Sequence, residues 1–270
     1  MGIILNMIKR ICIEVLIGII IIVLVCTNNI YYPIKEVYST SYRHEDIYFK
    51  SLDGTKLNAW YIEPKQGYPT ILFSHGNGGN ISYFFDMLKE AANKGYGIFI
   101  YDYRGYGNSK GFPYEKGLYK DIEAAIKYLN TEKKTSDENI ILWGLSLGGA
   151  VSAKAALSHN FKALILQSTF TNIKDMGEAT LFRVTKNENT KYIIKIIPFF
   201  QKYDTYSRID KIKIPVLIIH SKDDSLIPYK LAFKNASKNK NAQLKIVEKD
   251  NHNDYENSLP IIMYFIENIN

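Results

Sequence analysis

Short apolar runs recur along the chain at 69–74, 97–101, 140–143, 163–166, 215–219 and 244–247, each of a length that suits a strand buried on both faces. Between them, 81–94, 114–130 and 229–238 carry apolar residues at helical spacing, as in Leu118, Ile122, Ala125, Ile126 and Leu129. Gly95 stops the first of these helices, and 261–269 closes the chain as another. Ahead of this rhythm, 45–64 reads as a hairpin, with 47–49 and 57–62 flanking the turn dipeptide Asp53-Gly54. Apolar strands alternating with helices predict an α/β fold, a mostly parallel sheet covered on both faces. The segment 169–210 breaks the pattern between two core strands and is rich in apolar residues, among them Met176, Leu181, Phe182, Ile193 and Ile197. So long an insertion of this composition predicts a small helical cap rather than plain loop.

Residues 1–30 are a different material. An apolar run at 15–26 follows Lys9 and Arg10, with Glu14 as the charge nearest its start. The run is slightly short of the roughly 20 residues that span a bilayer, but Glu14 lies near one end and can snorkel. No small-residue cleavage site follows it, and Val25 is too large for a lipoprotein signal before Cys26. The expectation is an uncleaved N-terminal membrane anchor at 1–30, a tyrosine-rich linker at 31–44 and one domain at 45–270. Basic residues before the run, with Lys35 the nearest after it, put the domain outside the cytoplasm. The only cysteines, Cys12 and Cys26, lie in or beside the anchor, so disulfides, zinc-thiolate sites and a cysteine nucleophile are excluded from the domain. At 270 residues a single large core is expected. The net charge of +7 is spread without a basic block, which suits an anionic membrane surface and carries no nucleic-acid motif.

The candidate chemistry centres on Gly144-Leu-Ser146-Leu-Gly148, where an apolar strand runs into a helix of small residues. Glycine on either side of the serine allows a sharp strand-to-helix turn that lifts the hydroxyl out of the sheet. The same turn aims the amide of Leu147 at the reacting carbonyl, at a helix N-terminus that favours negative charge. Serine needs a base, and the base an orienting carboxylate. In hydrolases with such an elbow the order is serine, acid, histidine, each on a loop after a strand. Of the five histidines, His252 follows the strand ending at Val247 and meets that order. The acid belongs after the strand at 215–219, where Asp224 is the choice and Asp223 the alternative. His44, His159 and His220 are assigned to structure, with His220, at a strand end beside the acid loop, the one of them expected near the site. The second amide for an oxyanion is assigned to Asn77, with Gly78 as its alternative, in the glycine-rich loop 75–80, and His75 is read as a brace for that loop.

With these residues in view the chain resembles the α/β-hydrolase superfamily. Within it the chain is similar to the N-terminally membrane-anchored serine hydrolases that include eukaryotic protein depalmitoylases and bacterial relatives. The resemblance covers residues 45–268. It rests on Ser74-His-Gly-Asn-Gly-Gly-Asn80, Tyr101-Asp-Tyr-Arg-Gly-Tyr-Gly107 with Ser109, Gly144-Leu-Ser-Leu-Gly-Gly149, Pro215-Val-Leu-Ile-Ile-His220 with Asp224, and His252-Asn-Asp254. It implies an α/β-hydrolase fold, a triad of Ser146, Asp224 and His252, and oxyanion donors at Asn77 and Leu147. Ser221 stands where that branch usually has glycine, and the cap matches poorly. The expected activity is hydrolysis of carboxylic esters or thioesters through an acyl-enzyme, with no metal or cofactor. An apolar cap beside a membrane anchor favours acyl or lipid-like substrates. A peptidase or aminopeptidase is the rival among enzymes, and a binding protein on the hydrolase fold the rival outside them.

Overall fold

The computed structural model describes residues 14, 30–186 and 201–269. Apart from Glu14, the predicted anchor before residue 30 lies outside the described residues, as does the middle of the predicted cap, 187–200. Among the described residues no helix is long and apolar enough to cross a membrane.

An eight-stranded sheet organises the domain. Its strands are β2 (Glu45–Lys50), β3 (Lys56–Ile62), β4 (Thr70–Ser74), β6 (Gly97–Tyr101), β7 (Ile140–Leu145), β8 (Ala163–Gln167), β9 (Val216–Ser221) and β10 (Ala242–Val247). They stand in the order β10-β9-β8-β7-β4-β6-β3-β2. The pairs β2–β3 and β3–β6 are antiparallel, and the rest are parallel. This is the mostly parallel sheet with an initial hairpin that the apolar runs predict. Side-chain alternation sends neighbouring residues of one strand to opposite faces. On β7, Ile140 and Leu142 join Leu72, Phe99, Leu164 and Val216 in one core, while Ile141 and Trp143 join Ile71, Phe73, Ile165 and Leu217 in the other. Both faces are buried, so the central strands carry no polar alternation.

Helices α1 (Ile81–Lys94) and α6 (Leu259–Glu267) cover the second face through Phe85, Leu88, Ile262 and Ile266. The first face is covered by α2 (Glu115–Thr131) and α3 (Leu147–Ala155), and α5 (Lys230–Ala236) packs beside β9 and β10. Helix α4 (Ile173–Thr185) opens the segment predicted as a cap.

The stretch predicted as a linker lies across the domain. Its β1 (Tyr32–Pro33) pairs in parallel with β5 (Gly78–Gly79) as a separate two-stranded sheet. The carbonyl of Ile34 accepts from Gly107 N at 3.0 Å and from Asn80 Nδ2 at 3.1 Å. Lys35 Nζ donates to the Ser109 carbonyl at 3.0 Å, and the Tyr31 hydroxyl donates to Gln201 Oε1 at 2.6 Å and lies 2.6 Å from the Tyr203 hydroxyl. Polar atoms on three segments, 78–80, 107–109 and 201–203, hold these residues, which makes them a strap rather than a spacer.

Candidate active site

Three parallel strands, β7, β9 and β10, end at the same edge of the sheet, and the loops that leave them carry the candidate residues, the arrangement in which α/β proteins gather ligands. At the end of β7, Ser146 adopts φ 53° and ψ −114°, a left-handed backbone that few non-glycine residues hold. Such a conformation costs on the order of 1–3 kcal/mol and persists only where the surroundings impose it. Here they do. Ser146 N donates to the Gln167 carbonyl at 2.8 Å, and its own carbonyl accepts from Gly149 N at 3.1 Å. The flanking glycines are a steric need: a Cβ at Gly144 would lie 2.4 Å from the Gly148 carbonyl oxygen, and one at Gly148 only 1.8 Å from that of Ser74.

His252 turns its Nε2 to the Ser146 hydroxyl at 3.0 Å and its Nδ1 to Asp224 Oδ2 at 2.8 Å. Residues 146, 224 and 252 therefore meet within hydrogen-bond reach of one another. A carboxylate can only accept, so Nδ1 carries the ring proton and Nε2 offers its lone pair to the hydroxyl. Asp224 is buried, and Leu226 N (2.9 Å) and Ile227 N (2.8 Å) donate to its other oxygen. Burial pushes this carboxyl up, but the hydrogen bonds from His220 and His252 outweigh it and hold it well below the usual carboxylate range. The acid stays ionised wherever the protein is folded near neutrality.

Asp223, the sequence alternative, turns elsewhere. Its carboxylate accepts from Lys249 N at 2.7 Å and so ties the acid loop to the histidine loop. Asn251 makes a second tie, its Oδ1 accepting from Ser225 N at 3.1 Å and from His252 N at 2.8 Å. Buried Asp250 anchors the other side of the histidine loop by accepting from Ser258 N and Asn257 N at 2.9 and 3.0 Å.

Across from the serine, the loop between β4 and β5 comes close: a Cβ at Gly76 would lie 3.9 Å from that of Ser146. Asn77, Gly78, Ser146 and Leu147 line one cavity with His252. Leu147 is the first residue of α3, where a helix leaves its amides without carbonyl partners. The Asn77 side chain is clamped, its Nδ2 donating to the Ile30 carbonyl and its Oδ1 accepting from the buried Tyr106 hydroxyl at 2.9 Å. His75 acts inside the same loop: its Nδ1 donates to the Gly76 carbonyl at 2.7 Å, and its Nε2 lies 3.5 Å from Asp102 Oδ1.

The cavity encloses about 980 Å³ and is walled mainly by apolar side chains, including Phe84, Met87, Phe170, Met176 and Leu181. Met176 and Leu181 come from α4, so the first part of the predicted cap does wall the site. Ile30 and Tyr32 of the strap also line it, and no periodicity in their tyrosine-rich neighbourhood signals that. The remaining histidines are remote from the serine in their bonding. His44 lies against the Trp60 ring, 4.3 Å between centroids, and His159 pairs with Glu123 and Asp137. His220 contacts the acid itself, a partner that its place at a strand end does not reveal. Among the described residues, no group of three or more His, Cys, Asp and Glu side chains is placed to hold a metal ion.

Hydroxyl, imidazole and carboxylate in line beside an apolar cavity form an arrangement suited to acyl transfer. The fold itself is shared with known proteins. Residues 69–190 match the family model described as alpha/beta hydrolase fold. The chain is 34% identical over 231 residues to the alpha/beta hydrolase domain-containing protein WAV2 of Arabidopsis thaliana, covering 78% of this chain and 74% of that protein. It is 39% identical over 163 residues to alpha/beta hydrolase domain-containing protein 17B of Homo sapiens, covering 59% of this chain and 51% of that one. In three dimensions it resembles an esterase of Pyrococcus furiosus with a TM-score of 0.69 at 20% identity, over 89% of this chain and 97% of the other.

Proposed function

The chain belongs to the α/β-hydrolase family, and from that premise we propose that it is a serine hydrolase cleaving carboxylic esters or thioesters of acyl or lipid-like substrates. One observation carries the reading: Ser146 Oγ, 3.0 Å from His252 Nε2, stands at the head of a relay whose far end is ionised Asp224, 2.8 Å from Nδ1. Ser146 attacks the acyl carbon while its proton passes to Nε2. Asp224 keeps the proton on Nδ1 and stabilises the imidazolium that forms. The amides of Leu147 and Asn77 receive the charge that develops on the carbonyl oxygen. His252 then gives its proton to the departing alcohol or thiol, and water, activated by the same imidazole, frees the acyl group from Ser146.

Ester cleavage is favoured over aminopeptidase action by the cavity wall. Among the described residues none of its lining side chains is Asp or Glu, so nothing there would pair with a substrate's α-amino group. The apolar run at 15–26 is assigned to membrane anchoring, with the domain on the extracytoplasmic side. The test is labelling of the wild-type protein and of Ser146→Ala with a fluorophosphonate, followed by p-nitrophenyl esters of graded chain length and aminoacyl anilides. Labelling confined to the wild type, with ester turnover exceeding anilide turnover, supports the proposal. An unlabelled wild type would leave a binding protein on this fold.

A further inference from the structure

The acid of the proposed relay serves two imidazoles. His220, on β9, is fully buried, and its Nε2 lies 3.0 Å from Asp224 Oδ2, the same oxygen that receives His252 Nδ1. Nε2 also lies 3.0 Å from the Ile227 carbonyl. A carbonyl oxygen has no proton to give, so Nε2 must carry one, forked between carbonyl and carboxylate. On the other side of the ring, Nδ1 is buried and has no hydrogen-bond partner among the described residues. A second proton there would be a buried cation's donor without an acceptor, whereas a bare lone pair costs much less. His220 is therefore neutral, in the Nε2–H form.

We infer that His220 is a positioning residue for the relay: a neutral second imidazole that fixes the Asp224 carboxylate and draws off part of the charge on the oxygen facing His252. This rests on the serine-hydrolase reading above. Its geometry has two consequences. The Asp224 carboxylate is gripped by a donor on Oδ2 that does not change protonation during turnover, so it cannot swing when the His252 ring becomes charged. Sharing Oδ2 also weakens the pull of the carboxylate on the His252 proton. Removal of the shared donor raises the basicity that His252 gains from Asp224.

The charged groups around this pair are otherwise engaged. Asp223 accepts from Lys249 N, Lys222 pairs with Glu248, and Asp250 accepts from Ser258 and Asn257. On β10 the neighbour of His220 is Ile246, and on α5 Lys234 reaches to Asp175. Asp224 and His252 are left as the ionisable groups bonded to the His220 network.

The experiment compares wild type, His220→Gln and His220→Leu by the pH profile of kcat/KM on a soluble short-chain ester, by fluorophosphonate labelling rate and by thermal melting. Leucine removes the donor, and glutamine keeps an N–H for the carboxylate. For His220→Leu the labelling rate at neutral pH falls about tenfold and the acid limb of the profile moves up by about half a pH unit, with much of both restored in His220→Gln. A folded leucine variant with the wild-type rate and limb overturns the inference, as does a rate loss that neither moves the limb nor recovers with glutamine. Imidazole ¹⁵N spectra of the wild type test it without any substitution: an Nδ1–H or doubly protonated His220 between pH 6 and 8 would sink it. Failure of the wild type to label at all would refute the serine-hydrolase reading instead, and the tautomer measurement still stands by itself.

Discussion

At the residue scale, two adjacent aspartates separate chemistry from architecture. Asp224 faces His252, and Asp223 caps the Lys249 amide. Asp224→Asn keeps the shape but offers an NH₂ or a neutral carbonyl where an anion fixed the histidine tautomer, and kcat is expected to fall by about 10³–10⁴ in initial-rate ester hydrolysis. Asp223→Ala removes a loop tie only, and its kcat is expected within about tenfold of wild type, with a lower melting temperature. Equal losses in the two variants would contradict the assignment. The low-lying carboxyl of Asp224 also fixes a sign. A group whose folded value is depressed adds stability above its unfolded value and loses it as pH falls through the folded one, so this carboxylate's contribution is intact at neutral pH and gives way only in strong acid.

At the scale of elements, the strap and the end of α3 each join parts of the chain distant in sequence. The strap grips the loop that carries the Asn77 amide, through β1–β5 pairing and the Ile30 carbonyl. Removing residues 1–29 leaves that grip in place, and turnover of a short soluble ester should stay within about threefold of the full chain, since the proposed oxyanion donor at Asn77 does not move. Removing 1–37 releases the loop, and a fall in kcat of more than about tenfold is expected, because small displacements of an oxyanion donor are costly. Matching kcat values for the two truncations would show that the strap has no part in positioning. Just past α3, His159 lies 2.9 Å from Glu123 on α2 and 2.8 Å from Asp137 before β7. Burial pushes this imidazole down, but its hydrogen bonds to Glu123 and Asp137 prevail and its value is raised. A raised histidine stabilises fully below its unfolded value near 6.5 and loses that contribution as pH rises through the folded one. The melting-temperature deficit of His159→Gln is thus expected to be larger at pH 5.5 than at pH 9, and a deficit constant with pH would exclude the ion pair as its source.

Over the whole molecule, chain length couples the cavity to the apolar N-terminal run. Ile30 lines the cavity, and only four peptide steps separate it from Cys26 at the end of that run. Those steps span at most about 14 Å. With the run in a bilayer, as proposed, the cavity wall cannot stand farther than that from the membrane surface. Hydrolysis of a long-chain ester carried in lipid vesicles should then drop by about tenfold or more on removal of residues 1–26, through lost effective concentration, while a soluble short-chain ester is hydrolysed at a similar rate. Parallel losses on both substrates would argue against delivery from the membrane.

The sequence by itself determined the alternation of buried strands and covering helices, because burial on both faces demands unbroken apolar runs and burial on one demands helical spacing. It also picked out the serine turn, since Gly144 answers to a clash with Gly148 only four residues on, whereas the need for glycine at 148 comes from the distant Ser74 carbonyl. The place after β9 already favoured Asp224 over Asp223, but only tertiary structure separates the two fully, because neighbours in a loop differ in the direction their side chains leave it. It decided that 30–36 is a strap, and that His220 shares the acid with His252. Both depend on hydrogen bonds to atoms remote along the chain or across a folded turn, and such bonds leave no period or spacing in the order of the residues.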